Sequence, residues 1–360
     1  FSNDASLLVP VHALDTDYRF IGVPTWSINR PSPAGLAVVA PTDGIDVTVR
    51  LPARGAVLPE PSGRVRRAGS TLTVRLDAQE VLLLQTDSVF FGAQPDLTGA
   101  QIQATAPVAV FSSHQCAFYP ELQGACDHVE EQLFPVTSWG EEFVLVPPVR
   151  RAEPGGVFGS TEAVYWKIQA QAPGARITLS RPWNQLAAVA PGFQGVPDCA
   201  NFLQGDDTLV LNGEGHCEFG TMQPVSLTSD TSLMIMGIIS GQESTGVASA
   251  FGARAGDPAI FLVPPARQYR NDYAFLAPDT YANDFVTVVT APGNNIGLDG
   301  VPLNLADAVA VPGSEVVYKH LSISDGPHRL QGDGPFGILV FAFDDFVSYA
   351  FAGGLNLRKR

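Results

Sequence analysis

The chain has 360 residues and a formal net charge of −15, and only 16% of it is charged against 45% hydrophobic. That length can bury a sizeable core without special staples. The acidic balance, relieved only by RVRR at 64–67 and the terminal RKR, excludes nucleic acid as a partner. The densest apolar run, SLMIMGII at 232–239, is far short of the ~20 residues a spanning helix needs, so this segment is expected to be soluble, with no membrane insertion. A chain that starts at Phe1 without a leader reads as part of a longer polypeptide.

With 35 Gly and 29 Pro and apolar residues in short runs, the texture is that of strands and turns. In chain order, DVTVRL at 46–51 alternates Val47, Val49 and Leu51 against Thr48 and Arg50, and TLTVRL at 71–76 repeats the pattern with Leu72, Val74 and Leu76. Each is predicted to be a strand with one wet face. EVLLLQT at 80–86, PVAVFSS at 107–113, SLMIMGII at 232–239 and FGILVFAF at 336–343 are almost continuously apolar and predict central strands covered on both faces. Turns are expected at Asp43-Gly44, Pro154-Gly155-Gly156, Pro173-Gly174, Asn212-Gly213, Asp299-Gly300 and Pro312-Gly313. The one helical signal is Asp127-His128-Val129-Glu130, which has the form of a capping box before Pro135 and predicts one or two turns.

A signature recurs three times: LLVP at 7–10, VLVPP at 144–148 and FLVPP at 261–265. Each copy is followed by an aromatic strand, an Ala-Pro turn, an alternating strand and a closing apolar run. The expectation is an all-β fold of three tandem related β-sandwich-like units with very little helix, a pseudo-threefold arrangement being one option. The units are placed at 1–125, 126–242 and 243–360 and are expected to pack as one integrated domain.

The four cysteines fall in two local pairs, Cys116 with Cys126 and Cys199 with Cys217. Three connectivities are open to four cysteines, and nearest-neighbour pairing closes the small loops suggested by this spacing. Such bridges imply an oxidising compartment.

Around Cys126, the stretch CDHVEEQLFPVTSWG crowds chemistry-bearing side chains, with His114 just upstream. No HExxH or CxxC spacing is present, so Asp127, His128 and Glu130 are read as structural, fastening a junction between units that Trp139 would wedge. Hard oxygen ligands make Ca²⁺ a weak option at Asp206, Asp207, Asp344 and Asp345, for which solvated turn carboxylates are the leading account; no cofactor is expected. Ser112, Ser113 and His114 lie together, but no GxSxG elbow frames them, and no catalytic residue is assigned. Gly256-Asp257-Pro258 resembles a self-cleaving GDPH sequence, yet Ala259 stands where the His would be, and no self-cleavage is expected. The EEQ at 130–132 is too far from Cys126 for a thioester. Of the four tryptophans, Trp26, Trp139 and Trp166 are assigned to packing, and Trp183, in the polar SRPWNQ loop, is the candidate exposed contact.

The blocks LTGAQIQATAPVAVFSSHQC, CDHVEEQLFPVTSWGEEFVLVPP, GDPAIFLVPPARQY, LDGVPL, GPHRL and FGILVFAFDDFVSYAFAGG, in this order from Ser2 to Gly354, resemble the domain named for the N-terminal region of the mucosal IgG-Fc-binding protein. The resemblance implies an extracellular β-rich module of large secreted or surface-anchored proteins, with binding or adhesion as its task and no catalytic residues. The Ala-, Asp-, Val- and Pro-rich, Lys-poor composition suggests a bacterial source. The expected function is therefore a non-enzymatic binding or adhesion module for an unknown extracellular protein or glycan ligand, its contact surface supplied by loops such as Cys199–Cys217. The alternatives are a structural subunit or spacer of a larger surface assembly and, less favoured, a metal-dependent or serine hydrolase.

Overall fold

The computed structural model describes residues 4–27, 31–58, 66–89, 92–124, 126–151, 162–212, 215–245 and 255–357. The turn expected at Pro154-Gly155-Gly156 and the Gly213 half of the Asn212 turn lie outside these residues.

The alternating segments form strands for the expected reason. In Ile45–Arg50, Ile45, Val47 and Val49 are buried and Arg50 is exposed, and the segment pairs in register with Thr71–Leu76. Across the chain the strands sort into three sheets. The first holds β1 (Asp15–Arg19), β2 (Ala34–Val39), β3 (Ile45–Arg50), β4 (Thr71–Leu76), β5 (Val81–Gln85), β6 (Gln101–Ala117) and β7 (Asp127–Gln132). The second holds β8 (Gly140–Leu145), β9 (Val164–Ala170), β10 (Ala175–Leu179), β11 (Thr208–Leu211), β12 (His216–Thr221), β13 (Val225–Ile239) and β14 (Ala259–Leu262). The third holds β15 (Arg270–Ala277), β16 (Asn283–Thr290), β17 (Ile296–Leu298), β18 (Val301–Pro302), β19 (Val309–Ala310), β20 (Val317–Ser322), β21 (Gly326–Asp344) and β22 (Val347–Ala352).

The three sheets share one topology. Their orders are β4-β3-β6-β2-β5, β11-β10-β13-β9-β12 and β18-β17-β21-β16-β20, the last extended by β19. In each, the first and last strands also pair with the long central one. Those central strands run 17, 15 and 19 residues, about three times an ordinary strand. The length lets one strand serve both layers of a sandwich. Gln101–Ala104 of β6 pair with β3 and, in part, β1, while its later residues pair with β2 and β7. The β17–β18 hairpin turns on Asp299 and Gly300, both at positive φ (53° and 80°), the conformation of a two-residue primed turn.

Hydrophobic cores run across sheet boundaries. Tyr18, Leu36 and Ile102 of the first sheet belong to one buried cluster with Met236, Ile238 and Leu262 of the second. Phe219 and Ile235 of the second share a cluster with Phe341, Phe343 and Ala350 of the third.

Several sequence expectations need correction. Asp127–Glu130 is not a helical turn but the start of β7, because Asp127 and Val129 point inward at strand period and the segment completes the ladder on β6. β7 therefore belongs to the first sheet and β14 to the second, whose last strands end at Gln132 and Leu262. EVLLLQT forms β5, the last strand in its sheet's order, and Val81 and Leu83 are each 53% exposed, so one face of the strand is not buried. PVAVFSS alternates buried Val108, Val110 and Ser112 with half-buried Ala109, Phe111 and Ser113, so one face is covered rather than two. SLMIMGII and FGILVFAF are buried throughout, as expected of strands between layers.

The repeat is also one step out of register in its second copy. Pro10, Pro135 and Pro265, all extended, each start a 3₁₀ turn (Val11–Ala13, Val136–Ser138, Ala266–Gln268) leading into β1, β8 and β15. The counterpart of LLVP and FLVPP is thus LFP at 133–135, and VLVPP runs from the end of β8 into the following loop. The turns also bind one another's surroundings. Thr137 Oγ1 donates to Asp15 Oδ2 at 2.8 Å, Arg267 Nη2 to the Thr137 carbonyl at 2.8 Å and Gln268 Nε2 to the Ser138 carbonyl at 3.0 Å. Gly140 permits this approach, since a Cβ there would stand 2.3 Å from Pro265 Cβ.

Candidate functional site

The disulfide-closed segment builds one surface patch from residues distant in sequence. Cys199 and Cys217 are bonded and fully buried, the first on a 3₁₀ turn capped by Asp198 accepting from Ala200 N–H, the second near the start of β12. Between them residues 204–207 stand exposed. The Asp206 carbonyl accepts from Trp183 N–H at 2.6 Å, and the Asp207 carbonyl from Leu179 N–H at 2.7 Å. Trp183 is half-buried rather than fully displayed, its ring 5.1 Å from that of Phe219. The Asp206 backbone thus holds Trp183 near Asp206 and Asp207, and the indole packs on the core cluster that contains Cys199 and Cys217. Thr208 Oγ1 donates to Asp207 Oδ1 at 3.0 Å.

The CDHVEEQLFPVTSWG stretch is a fastening. Cys126 is bonded to Cys116. Asp127 Oδ1 accepts from His128 N–H at 2.7 Å, and Glu130 N–H donates to Asp4 Oδ2 at 3.0 Å, so β7 is bordered by the N-terminal segment. Gln132 extends this border, its N–H donating to Ser6 Oγ and its side chain accepting from Val9 N–H, both at 2.8 Å. His128 and Glu130 approach to 3.6 Å on the surface, a pairing of small energetic weight. Trp139 is buried, with Nε1 donating to the Phe134 carbonyl at 3.1 Å. Burial and then Asp4 push the Glu131 carboxyl well above its usual range. Nearby Asp257 is pushed to about 7 by burial, then by Asp127 and Glu243, against the lowering effect of Arg151.

Sequence reasoning missed a buried ionic network at the boundary of the first and second sheets. Lys167, in β9, is fully buried. Its Nζ donates to the Gly22 carbonyl at 2.7 Å and lies 3.5 Å from Asp96 Oδ2 and 3.6 Å from Glu218 Oε2. Glu218 Oε1 accepts from Tyr119 at 2.5 Å and from Gly192 N–H at 2.8 Å. Burial raises the Asp96 carboxyl, but Lys167 and then His216 outweigh it and hold Asp96 below its usual value. The signal was present as a lone Lys inside the apolar strand VYWKI, where an uncompensated charge is not tolerated. A second buried pair, Arg151 Nε to Glu162 Oε1 at 2.9 Å, also carries bonds to the Ala255 and Ser240 carbonyls.

Ser112 and His114 share the inner face of β6 and Ser113 faces away. His114 Nδ1 accepts from Cys116 N–H at 3.1 Å, and burial pushes the ring to about 3, so it is neutral and committed to the backbone. Asp344 and Asp345 sit at the β21–β22 turn, with Asp344 Oδ1 accepting from Asp345 N–H at 2.7 Å. Among the described residues no group of three or more His, Cys, Asp or Glu is arranged to hold a metal.

A family model described as IgGFc binding protein matches residues 4–342. The human IgGFc-binding protein is 26% identical over 353 residues, which is 97% of this chain and 6% of that protein's length. No solved structure matches the chain. No helix among the described residues is long and apolar enough to cross a membrane. Because the family match covers almost the whole three-sheet structure, this chain belongs to the IgGFc-binding protein family.

Proposed function

We propose that this chain is a non-enzymatic binding or adhesion module of a secreted or surface-anchored bacterial protein. Its ligand is an extracellular protein or a glycan. The observation that carries the reading is family membership, since the human relative is named for binding IgG Fc. Two disulfides fit an oxidising environment. The architecture supports it as well: three sheets with continuous cores hold their loops rigidly, and the patch at Trp183, Asp206 and Asp207 is anchored by the indole on the core cluster that contains Cys199 and Cys217. The test is to immobilise the chain and titrate IgG Fc, Fab, a glycan array and intact mucus. Saturable binding to any of these supports the module, and binding to none overturns it.

The reading as a structural subunit or spacer is favoured by one observation. Among the described residues β5 ends its sheet's order, its outer edge paired only at the Gln85 end by Leu58 N–H, and it displays Val81 and Leu83, apolar side chains of the kind proteins otherwise keep off an edge strand. Light scattering decides between the two. Concentration-dependent oligomers that disappear in Leu83→Lys support assembly, and a monomer at all concentrations removes it.

A further inference from the structure

Arg19, Gln101 and Arg50 stand level on three adjacent strands, β1, β6 and β3: Arg19 is opposite Gln101, and Gln101 is opposite Arg50. Directly opposed residues share a face, with Cβ atoms about 5 Å apart across each pair, so two guanidinium groups bracket one amide. All three line a cleft of about 390 Å³, within the usual range for small-ligand sites. Its far wall comes from the second sheet, at Ala170 to Pro173 and Gly215.

Among the described residues no Asp or Glu lines this cleft. Among the described residues neither arginine's side chain has a hydrogen bond or ion pair, and Asp17 interacts with Arg19 only through space. In a chain with 36 Asp and Glu against 21 Lys and Arg, two neighbouring guanidiniums with no bonded carboxylate among the described residues run against the composition. Guanidinium forks match the paired oxygens of carboxylate or sulfate. Gln101 adds a neutral donor and acceptor suited to a hydroxyl, while Pro52, Ala53 and Pro173 supply small apolar walls with no bulk to fill the space.

We propose that this cleft between the first and second sheets binds an acidic sugar residue, its carboxylate or sulfate held by Arg19 and Arg50 and a neighbouring hydroxyl by Gln101. The inference rests on the reading of the chain as a binding module and assigns that module an anionic glycan site.

The experiment titrates the intact chain with methyl β-glucuronide, N-acetylglucosamine 6-sulfate, methyl glucoside and an acidic hexapeptide, by calorimetry and ligand-observed NMR. Saturable binding of either acidic sugar is expected, with the two arms separating carboxylate from sulfate recognition. It should weaken at least tenfold in Arg19→Gln and in Arg50→Gln, weaken as salt rises, and be absent for the neutral glucoside. Both variants alter side chains without structural bonds, and unchanged thermal unfolding confirms that they fold. Failure of both acidic sugars to bind, equal binding by wild type and variants, or binding of the peptide alone overturns the site. The double variant is then tested on IgG Fc and mucus. If wild type and double variant bind these equally while the sugars do not bind, the cleft assignment falls and the module stands; if wild type binds nothing, both fall.

Discussion

Tyr119, from the loop after β6, donates a 2.5 Å hydrogen bond to Glu218 in the middle of β12, and both side chains are fully buried. The bond joins the first sheet's chain to the second through a carboxylate that also lies 3.6 Å from Lys167. Burial and then the Glu218 charge push the Tyr119 hydroxyl well above its usual pKa, so it stays a donor throughout the accessible pH range.

Replacing Lys167 by Met is expected to destabilise the protein by about 3–5 kcal/mol, because Asp96 and Glu218 would be left as uncompensated buried charges. Tyr119→Phe removes one charge-assisted bond and should cost less, roughly 1.5–3 kcal/mol. Urea titration of both variants gives the order. A Lys167→Met protein as stable as wild type would show that the network does not hold the two sheets together.

Cys199 and Cys217 close a loop with a sequence separation of 18. By chain entropy such a closure is worth about 3 kcal/mol. Double replacement by Ala is expected to lower the urea midpoint accordingly and to loosen the Trp183 patch, read as faster amide exchange at 203–207. Unchanged exchange there would mean that packing on Phe219 alone orders the loop.

The share of stability contributed by Asp257 should fall as pH rises from about 4 to 7, while the buried His114 and His320, lowered to about 3 and about 4, act in the opposite direction. Asp257 has its folded pKa raised from the ordinary 3.8 to about 7, chiefly by burial, so in this window the folded chain keeps a proton that the unfolded chain has released. Its contribution is complete below the unfolded value and lost as pH passes the folded one. Asp284, raised to about 6 first by burial, acts in the same direction. Asp96 is lowered, so its stabilisation is lost only below the ordinary carboxylate range. Thermal unfolding of wild type and Asp257→Asn between pH 4.5 and 8 isolates this share: the wild-type midpoint should fall relative to the variant's as pH rises. A wild-type midpoint that rises relative to the variant's over this window would reverse the assignment.

Much of the fold could be read from local pattern, because strand period is a property of neighbouring residues. Val47 and Val49 alternate with Thr48 and Arg50 in the sequence and in the structure alike. What failed was context. Asp127-His128-Val129-Glu130 satisfies a helix-capping pattern, but β6 offers an unpaired edge and Asp4, 126 residues away, takes the Glu130 N–H. Val81 and Leu83 look like core residues, and only the folded structure shows that each is 53% exposed. The Arg19–Gln101–Arg50 row was invisible for the same reason: cross-strand register brings Gln101 beside residues 82 and 51 positions away.

Trp183 was singled out from the sequence as an exposed contact, and its half-buried placement sharpens what its replacement should do. One side of the ring packs near Phe219, and the backbone N–H is held by the Asp206 carbonyl, so the indole is preorganised and loses little entropy on contact with a ligand. Trp183→Ala should cost about 1–2 kcal/mol of stability, less than a fully buried aromatic, and should weaken ligand binding about tenfold or more, as truncated aromatic anchors do. Trp183→Phe should restore stability and part of the affinity. Surface plasmon resonance against the ligand found by the titrations above, run beside urea unfolding, separates the two effects. Affinity that falls only in proportion to the folded fraction would assign Trp183 to packing and move the contact surface elsewhere on the sheets.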